Sequence, residues 1–447
     1  MKAFILAGGA GSRMFPFDEE QKAVLPVGNV PCAVRLFDTL RRCGVRDVTV
    51  VTGRGRRWVL SAFAGRDVRF ADAGPDTLGE VLRAEAGDAD AVAVFYGDIY
   101  VTDGDAKRLL AEKGAAALVQ DERAGFDKSL WIGAKVTDGA VEYFCGHARA
   151  HYVNARSGGG FLVPRALYAC FTDTPPVFSK VSTGDMPPEG FWIESCLQTA
   201  IGRGAAVRAV AAEGPFADID YPWELMAANA ACARYECAQL SGPRIDPTAS
   251  VAADAACCRI RAGKNTVIGP GVVFRGAAVI GSDTVIRNGA VIEDGVLIGD
   301  GCVIEDYCKI GAGSVVGDRC KVRFTAEVGG VLMEGAAAVH NCELYGVFGR
   351  DTDIGAGTRT ATLRFDDAFA EIRVGGKKIA HPLTGAAFMG SYSRTGVNCT
   401  LLPGVRIGAR ACVGPGVVAG GRVEHGSMLL CEQSQTSRPW GSERYGW

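Results

Sequence analysis

A six-residue repeat in the second half of the chain most constrains how this sequence can fold. Aliphatic or aromatic residues recur at every sixth position through eleven consecutive repeats, at Ile268, Phe274, Ile280, Ile286, Ile292, Ile298, Ile304, Ile310, Val316, Val322 and Val328. An α-helix would spread a period of six around its whole surface, so short strands joined by turns must carry the repeat. This pattern is the hexapeptide signature of a left-handed parallel β-helix.

The repeat is interrupted twice before it ends. It slips near Glu334 and again through a long excursion from Phe365 to Ala387. Excursions leave the stack of a solenoid at one edge, where binding surfaces tend to be built. We assign residues 244–425 to the β-helix and residues 426–447, where the pattern is lost, to a C-terminal tail.

The start of the chain predicts a phosphate-binding loop. An apolar run of strand length is followed by glycines and then by two cations, in the order Phe4 to Ala7, Gly8, Gly9, Gly11, Arg13 and Lys22. This order suits a buried strand, a tight loop and a helix start. Glycines let backbone N–H groups approach a polyphosphate closely, and a helix N-terminus and two cations favour its negative charge. The predicted ligand is a nucleoside triphosphate.

Alternating helical and strand-like segments follow the loop. Val34 to Cys43 has the periodicity of an amphipathic helix, whereas Asp47 to Thr52 and Ala91 to Tyr96 are apolar runs of strand length. This is the rhythm of a parallel sheet with crossover helices. We assign residues 1–228 to a Rossmann-like α/β domain and residues 229–243 to a linker.

Composition restricts the partners and the compartment. The 447 residues are too many for one core, and a net charge of -2 with a pI near 6.3 does not indicate a nucleic-acid or membrane-surface partner. No run of 18 apolar residues occurs. The 16 cysteines are scattered, with one adjacent pair at Cys257 and Cys258. Reduced, mostly buried thiols in a cytoplasmic protein are the better interpretation.

The glycine loop also carries a family resemblance. It lacks the Gly-Lys-Ser/Thr ending of a P-loop, but the run LAGGAGSRM followed by KAVLPV resembles the signature of the sugar-1-phosphate nucleotidylyltransferases. The resemblance implies an enzyme that forms a nucleotide sugar and pyrophosphate from a nucleoside triphosphate and a sugar-1-phosphate. It implies nucleotide contacts from Leu6, Ala7, Gly8, Gly9 and Gly11, and catalytic roles for Arg13 and Lys22. Gly79 stands where the family contacts the base.

Two aspartates match the metal positions of that family. Asp98 follows the predicted strand Ala91 to Tyr96, so it faces the crevice at the carboxyl end of the sheet. The segment FADIDYPWELMA resembles the second metal-binding segment, in which Asp218 aligns with the ligand and Asp220 is its neighbour. Two aspartates and a triphosphate can hold one Mg²⁺ ion. The resemblance therefore implies a magnesium site at Asp98 and Asp218.

The sugar-binding landmarks depart from the family. Ser157 to Phe161 stands where Asn-Ala-Gly is expected, which assigns a sugar contact to Gly159. The Glu-Lys-Pro contact would fall near Cys145 to His147, where no carboxylate is present. N-acetylglucosamine-1-phosphate with UTP is the first choice of substrates, and glucose-1-phosphate with dTTP or UTP is the alternative.

The β-helix carries a second resemblance. The runs VHNCELYGVFGRDTDIGAGTRTATLRFDD and TGAAFMGSYSRTGVNCTLLPGVRIGA are similar to the acetyltransferase half of bifunctional UDP-N-acetylglucosamine pyrophosphorylase/glucosamine-1-phosphate acetyltransferase, especially its archaeal-type relatives. This resemblance implies acetyl-CoA as a second cofactor and a homotrimer with shared sites. It makes His340 the base, Asn341 an oxyanion or sugar contact and Arg364 a phosphate contact.

Departures in this half predict a weaker activity. Thr362 replaces the family's Asn, and Thr384 replaces a Lys that would bind the sugar phosphate. Losing that full charge predicts weak or altered acetyl transfer, with glucosamine-1-phosphate as a poor acceptor. A different class of function also stands open, namely a sensor or scaffold whose transferase site has decayed. Retention of Arg13, Lys22 and both aspartates favours the enzyme.

Overall fold

The protein is described by a computed structural model that covers residues 1–121, 131–146, 151–174, 191–255 and 259–438. Some residues discussed above lie outside these ranges, namely His147, Cys257, Cys258 and residues 439–447 of the C-terminal tail.

The first half is a layered α/β domain around a nine-stranded sheet. Its strands are Lys2–Ala7, Asp47–Thr52, Arg69–Asp72, Ala91–Tyr96, Ala116–Asp121, Ile132–Thr137, Ala140–Gly146, Ala155–Pro164 and Arg208–Ala211. Its helices are Cys32–Arg42, Arg56–Ala62, Leu78–Ala86, Asp103–Leu110, Cys170–Asp173 and Ile193–Gly202. The first strand pairs in parallel with Asp47–Thr52 on one side and Ala91–Tyr96 on the other. This confirms the predicted Rossmann-like sheet.

One local prediction is wrong. No α-helix begins at the glycine loop, because the chain runs through an irregular segment to a three-residue 3₁₀ turn, Lys22–Val24, and the first α-helix starts at Cys32. Pro26 stops the turn from lengthening, since the residue before a proline is disfavoured in helical conformation. A helix dipole therefore does not supply the positive potential at this loop.

The second half is a parallel β-helix of short strands. One face is formed by Ser250–Val251, Val267–Ile268, Val285–Ile286, Val303–Ile304, Lys321–Val322, Ala337–Ala338, Asp353–Ile354, Arg394–Thr395, Cys412–Val413 and Met428–Leu429. The other strands are Arg244–Ile245, Ile260–Ala262, Val273–Phe274, Ala278–Ile280, Val291–Ile292, Val296–Ile298, Lys309–Ile310, Val315–Val316, Glu327–Leu332, Glu343–Phe348, Arg359–Thr360, Ala387–Met389, Thr400–Leu401, Arg406–Ile407, Val418–Ala419 and Arg422–Val423. The fold class, an α/β domain followed by a left-handed β-helix, is confirmed.

The registers explain both the repeat and its interruption. Val285 pairs with Val303, 18 positions later, so three hexapeptides make one turn. Lys321 pairs with Ala337, only 16 positions later. The coil is two residues shorter at one corner, because strand Glu327–Leu332 continues through that corner and pairs with both Lys309–Ile310 and Val315–Val316. The slip seen near Glu334 is thus a shortened corner, and the coil itself continues.

The ends of the repeat differ in detail from the sequence pattern. The excursion contains a hairpin of Glu371–Val374 and Lys377–Ala380 that stands off the stack. The last described strand, Met428–Leu429, pairs with Cys412–Val413 and so lies beyond the predicted end at residue 425. Leu429 keeps the six-residue spacing from Val423 but lacks a following glycine, which is why the pattern is not visible in the sequence.

A single helix joins the domains and buries itself between them. The connecting helix Pro222–Ala238 runs across the predicted boundary between residues 228 and 229. Its residues share one buried cluster with side chains of both domains, including Met14, Leu25, Tyr221, Trp223, Leu225, Met226, Val331, Val347 and Phe388. Because this cluster is continuous, the α/β domain packs directly against the β-helix.

Two further expectations concern cysteines and membranes. Every cysteine in the described ranges is a free thiol, and most are buried. None of the helices described here has the length and apolar character needed to cross a bilayer.

The shortened corner yields a stability prediction. A Cβ on Gly346 would lie 1.9 Å from the carbonyl oxygen of Ala387. Because that oxygen belongs to the backbone, it cannot move aside without displacing the neighbouring strand. We expect Gly346→Ala to lower the thermal unfolding midpoint by about 5 °C or more, measured by circular dichroism. Gly202→Ala is the control, since nothing lies within 4 Å of its added Cβ. Equal midpoints for the two variants would contradict the proposed packing.

Candidate active site

A short strand pairing brings the acidic residues together. The two-residue strand Ala217–Asp218 pairs antiparallel with Ile99–Tyr100, which follows Asp98 directly. The backbone N–H of Ile219 also donates to the carbonyl oxygen of Asp98, at 3.1 Å. This pairing joins residues that lie more than a hundred positions apart, at the carboxyl end of strand Ala91–Tyr96.

Three carboxylates converge at this point. Asp98, Asp218 and Asp220 each offer one oxygen, and these atoms lie within 4.8 Å of one another. Asp98 and Asp220 are each 9% exposed. Carboxylates placed so close repel one another unless a cation lies among them.

The two predicted cations lie beside the carboxylates. The Lys22 ammonium pairs with Asp98 and lies 2.7 Å from Asp220, and the Arg13 guanidinium lies 2.8 Å from Asp220. Burial acts to lower the pKa of Lys22, but the charges of Asp220 and Asp98 outweigh it and raise that pKa. The same competition raises the pKa of Arg13. Both side chains therefore remain positively charged at neutral pH.

The carboxylates differ in proton affinity. Burial, with the charges of Asp220 and Asp98, raises the pKa of the Asp218 carboxyl to about 7. Burial acts in the same sense on Asp220, but Lys22 and Arg13 outweigh it and lower that pKa to about 2. Asp220 is thus the permanent anion of the site, whereas Asp218 carries a proton for part of the time at neutral pH.

Glu224 fixes the backbone that presents these aspartates. Its Oε2 accepts hydrogen bonds from the backbone N–H groups of Asp220, at 2.7 Å, and Tyr221, at 2.9 Å. These bonds cap the connecting helix, which has Pro222 in its first turn. The start of that helix therefore sets the position of Asp220.

The glycine loop lies against the same site. The loop follows Leu6 and Ala7 at the end of the first strand. A Cβ on Gly8 would lie 3.2 Å from the amide nitrogen of Gly53, and a Cβ on Gly9 would lie 3.5 Å from Cε of Lys22. Gly11 has a φ of 63°, in the left-handed region that glycine adopts freely. The loop thus brings exposed backbone next to the Lys22 side chain.

Two other predicted contacts have structural explanations of their own. Gly79 lies in helix Leu78–Ala86, where a Cβ would come within 2.0 Å of the carbonyl oxygen of Phe171, so helix packing already requires glycine there. Gly159 has a φ of 62° and lies against the ring of Tyr96. The predicted base and sugar contacts of these glycines stay predictions.

Two functional candidates escaped the sequence analysis. Asp220 binds both cations, although the family alignment favours Asp218. Arg156 lies in strand Ala155–Pro164 with its guanidinium carbon 5.3 Å from the ring centroids of both Trp131 and Phe216. Its Nε donates to Gln120 Oε1 at 2.6 Å. The sequence offered one signal for Arg156, namely a cation three positions before the predicted sugar contact Gly159.

The residues predicted for acetyl transfer lie far along the β-helix. His340 and Asn341 are exposed at one corner, where the side chain of Asn341 bonds to Thr325. Arg364 is exposed directly before the excursion and donates two hydrogen bonds to Asp366, at 2.9 and 2.6 Å. Thr384 is fully buried and donates to the carbonyl oxygens of Ala370 and His381. Thr384 therefore cannot take the place of a phosphate-binding lysine.

The acidic cluster fits a divalent cation. Its donors are carboxylate oxygens, which hard cations such as Mg²⁺ prefer, and three of them converge on one point. Burial, together with the charges of Asp220 and Asp98, raises the pKa of Asp218, and a cation among the carboxylates would offset both effects. Asp98, Asp218 and Asp220 are therefore the residues that would hold it.

The fold and the site together define a nucleotidyltransferase joined to a β-helix. The family profile of the MobA-like NTP transferase domain matches residues 3–241, and that of the bacterial transferase hexapeptide, six repeats, matches residues 263–294 and 295–330. The chain belongs to the MobA-like NTP transferase family and carries bacterial transferase hexapeptide repeats.

Characterised proteins resemble the chain over different lengths. A bifunctional sugar-1-phosphate nucleotidylyltransferase/acetyltransferase from Sulfurisphaera tokodaii is 26% identical over 444 residues, covering 96% of this chain and 100% of that protein. The bifunctional protein GlmU of Dechloromonas aromatica is 27% identical over 51% of this chain and 49% of its own. A glucose-1-phosphate thymidylyltransferase from Mycobacterium tuberculosis is 33% identical over 32% of this chain and 51% of its own.

The pKa of Asp218 predicts that the affinity for a metal ion at the three carboxylates depends on pH. Because a metal ligand must lose its proton, we expect the affinity for Mn²⁺, used as a probe, to rise about tenfold per pH unit below pH 7 and to level off above it. Calorimetric titration of the protein without nucleotide measures this.

Asp218→Asn is the control, which should bind more weakly and lose most of this pH dependence. An affinity that is equally high at pH 6 and pH 8 in the unmodified protein would contradict the assignment of Asp218 as a ligand.

Proposed function

We propose that the protein is a sugar-1-phosphate nucleotidylyltransferase, which joins a nucleoside monophosphate unit to a sugar-1-phosphate and releases pyrophosphate. The observation that carries this proposal is the convergence of Arg13 and Lys22 on three buried carboxylates beside the glycine loop. Similarity over 96% of the chain to a protein named for this reaction supports it. UTP and N-acetylglucosamine-1-phosphate are the first choice of substrates.

In this proposal the reaction needs no covalent intermediate. A phosphate oxygen of the sugar-1-phosphate attacks the α-phosphorus of the nucleotide, and the bond from that phosphorus to the bridging oxygen breaks as pyrophosphate leaves. Arg13 holds the leaving phosphates, and Lys22 lies beside the reacting phosphorus, where it offsets the developing charge. Both cations are held in place before the substrate arrives by Asp220 and Asp98.

A Mg²⁺ ion held by Asp98, Asp218 and Asp220 would neutralise phosphate charge. Asp98 and Asp220 also direct Lys22, since both contact its ammonium group. They therefore have a role in positioning the cation as well as in holding a metal.

Arg156 is proposed to contact the phosphate of the sugar substrate. The family's Lys-containing motif has no counterpart near Cys145, so the sugar phosphate needs another cation. Arg156 comes three positions before the glycine that matches the family's sugar contact, and its guanidinium lies over the rings of Trp131 and Phe216, which favours a fixed orientation.

The alternative substrates are glucose-1-phosphate with dTTP or UTP. Similarity to a glucose-1-phosphate thymidylyltransferase over 32% of this chain favours testing them. A panel of nucleoside triphosphates and sugar-1-phosphates, read by pyrophosphate release, ranks the substrates. Absence of release with every pair would favour the third alternative, a sensor or scaffold without catalysis.

The acidic site yields the central activity prediction. We expect Asp98→Asn to lower the rate of pyrophosphate release by about a hundredfold, since a preorganised charge in such a site contributes ~3 kcal/mol to the reaction barrier. Asp294→Asn on the β-helix is the matched control and should keep full activity. If Asp98→Asn stays within a few-fold of the unmodified enzyme, the metal and cation assignment is wrong.

A second activity, acetyl transfer on the β-helix, is proposed as weak. The protein from Sulfurisphaera tokodaii is named for both reactions, and His340 is exposed as a base must be. However, Thr384 is buried and Arg364 is paired with Asp366, so the described residues that match the family's phosphate contacts offer no unpaired lysine or arginine.

A homotrimer is part of the same proposal. Tyr307 and Phe324 are 65% and 46% exposed, and their ring centroids lie 6.1 Å apart. They occupy the same corner of successive coils, and Asn341 occupies that corner in the next coil. Phe365 is fully exposed on the excursion. The exposed aromatic pair Tyr307 and Phe324 favours coverage by a neighbouring copy, which would complete the site at His340 on the same column.

The acetyl-transfer prediction combines activity with assembly. We expect slow release of CoA from acetyl-CoA and glucosamine-1-phosphate, a further loss in His340→Ala, and a trimer by light scattering at micromolar concentration. A monomer would contradict the shared site. Rapid turnover that disappears in His340→Ala would show that the weak-activity proposal is wrong.

A further inference from the structure

The segment between the two catalytic cations is held by the other domain. Residues 14–21, called here the anchor segment, connect Arg13 to Lys22 and follow no regular element. Side chains of this segment contact coils of the β-helix that lie more than three hundred positions later in the chain.

Glu20 makes the most enclosed of these contacts. Its side chain is 10% exposed and lies with Oε2 3.3 Å from Nε of Arg350, while Oε1 accepts a hydrogen bond of 2.8 Å from the hydroxyl of Ser391. Arg350 is itself held by Glu334, at 3.2 Å. Both carboxylate oxygens of Glu20 are thus occupied by the β-helix.

The neighbouring acids repeat this arrangement. Glu19 pairs with Arg410. Asp18 lies 3.1 Å from Nε2 of His425, and the backbone N–H of Ala409 donates to Nδ1 of the same ring at 2.8 Å. Because Nδ1 accepts, Nε2 carries the proton and donates to Asp18.

An aromatic contact and a close backbone approach complete the attachment. The guanidinium carbon of Arg422 lies 3.7 Å from the ring centroid of Phe15, and the His425 ring lies 4.8 Å from it. A Cβ on Gly390 would come within 2.7 Å of the carbonyl oxygen of Pro16. The surfaces of the two domains therefore fit closely here.

Gln21 transmits this attachment to the catalytic loop. Its amide group is buried, and Nε2 lies 3.0 Å from the carbonyl oxygen of Ala7, 2.9 Å from that of Gly9 and 3.1 Å from that of Arg54, so its two N–H groups are shared among three acceptors. Glu20, held by the β-helix, comes directly before Gln21, and Lys22 comes directly after it. A fixed chain of contacts thus runs from the β-helix to the glycine loop and to the ammonium group that lies among the carboxylates.

We propose that the β-helix is a working part of the nucleotidyl-transfer site: through the Glu20–Arg350 pair and its neighbours, it positions the anchor segment and so the two cations at its ends. The inference rests on the proposed nucleotidyl-transfer function. Glu20 and Arg350 are positioning residues, because neither lies in the acidic site itself. We therefore expect the α/β domain to depend on the β-helix for full activity, although all the residues proposed to contact the reacting phosphates belong to the α/β domain.

The test uses the full-length protein with Arg350→Gln, Glu20→Gln and the double variant. We expect each single variant to lower kcat/KM for pyrophosphate release about tenfold or more, because small displacements of catalytic groups are costly. The double variant should be no worse than the singles, since both remove one contact. Arg350→Lys should restore part of the loss. Arg275→Gln, which breaks the Arg275–Glu293 pair elsewhere on the β-helix, is the control with unchanged kinetics.

Hydrogen exchange of the anchor segment is measured in the same proteins. Faster exchange at 14–21 together with reduced kcat/KM supports the proposal. Unchanged exchange, or full activity despite faster exchange, overturns it, as does an equal loss of activity in Arg275→Gln. If the unmodified protein releases no pyrophosphate with any substrate pair, the proposed function fails, and exchange alone then decides whether the β-helix holds the segment.

Discussion

The active site of this protein depends on the compensation of buried charge. Lys22 and Arg13 are largely buried, and each would be costly there without the aspartates that face it. The aspartates in turn need the cations, because burial and their mutual repulsion both disfavour the charged carboxylates, as the raised pKa of Asp218 reflects. Neither set is stable alone, so the site forms only when segments from the start of the chain, the sheet edge and residues 217–224 meet.

The connecting helix brings these segments together and also joins the domains. Glu224 lies in its first turn, and the Glu224 carboxylate accepts hydrogen bonds from the backbone N–H groups of Asp220 and Tyr221. Its later residues pack against Val331, Val347 and Phe388 of the β-helix. The element that presents the central anion is therefore the element on which the solenoid is mounted, and the anchor segment provides a second link between the same two parts.

Regular elements were readable from local pattern, whereas irregular ones were not. Strands Asp47–Thr52 and Ala91–Tyr96 lie where the sequence predicts them, because burial inside a parallel sheet favours short segments rich in valine and other apolar residues. The expected helix after the glycine loop was wrong, since the segment at 14–21 takes its conformation from contacts with Arg350 and Arg410, far away in sequence. Local propensity carries no information about such partners.

The sequence by itself determined the two-part architecture, the parallel β-helix and the identity of Arg13, Lys22 and Asp98 as candidates, because periodicity and short motifs are local properties of a chain. Only the tertiary structure decided that Asp220 is the residue that binds both cations, and that the Arg156 guanidinium lies over the rings of Trp131 and Phe216. These outcomes depend on the pairing of strand Ala217–Asp218 with Ile99–Tyr100, more than a hundred positions away, and on which charged side chains lie close together once they are buried. Pairing and burial are properties of the folded chain, so no reading of neighbouring residues could supply them.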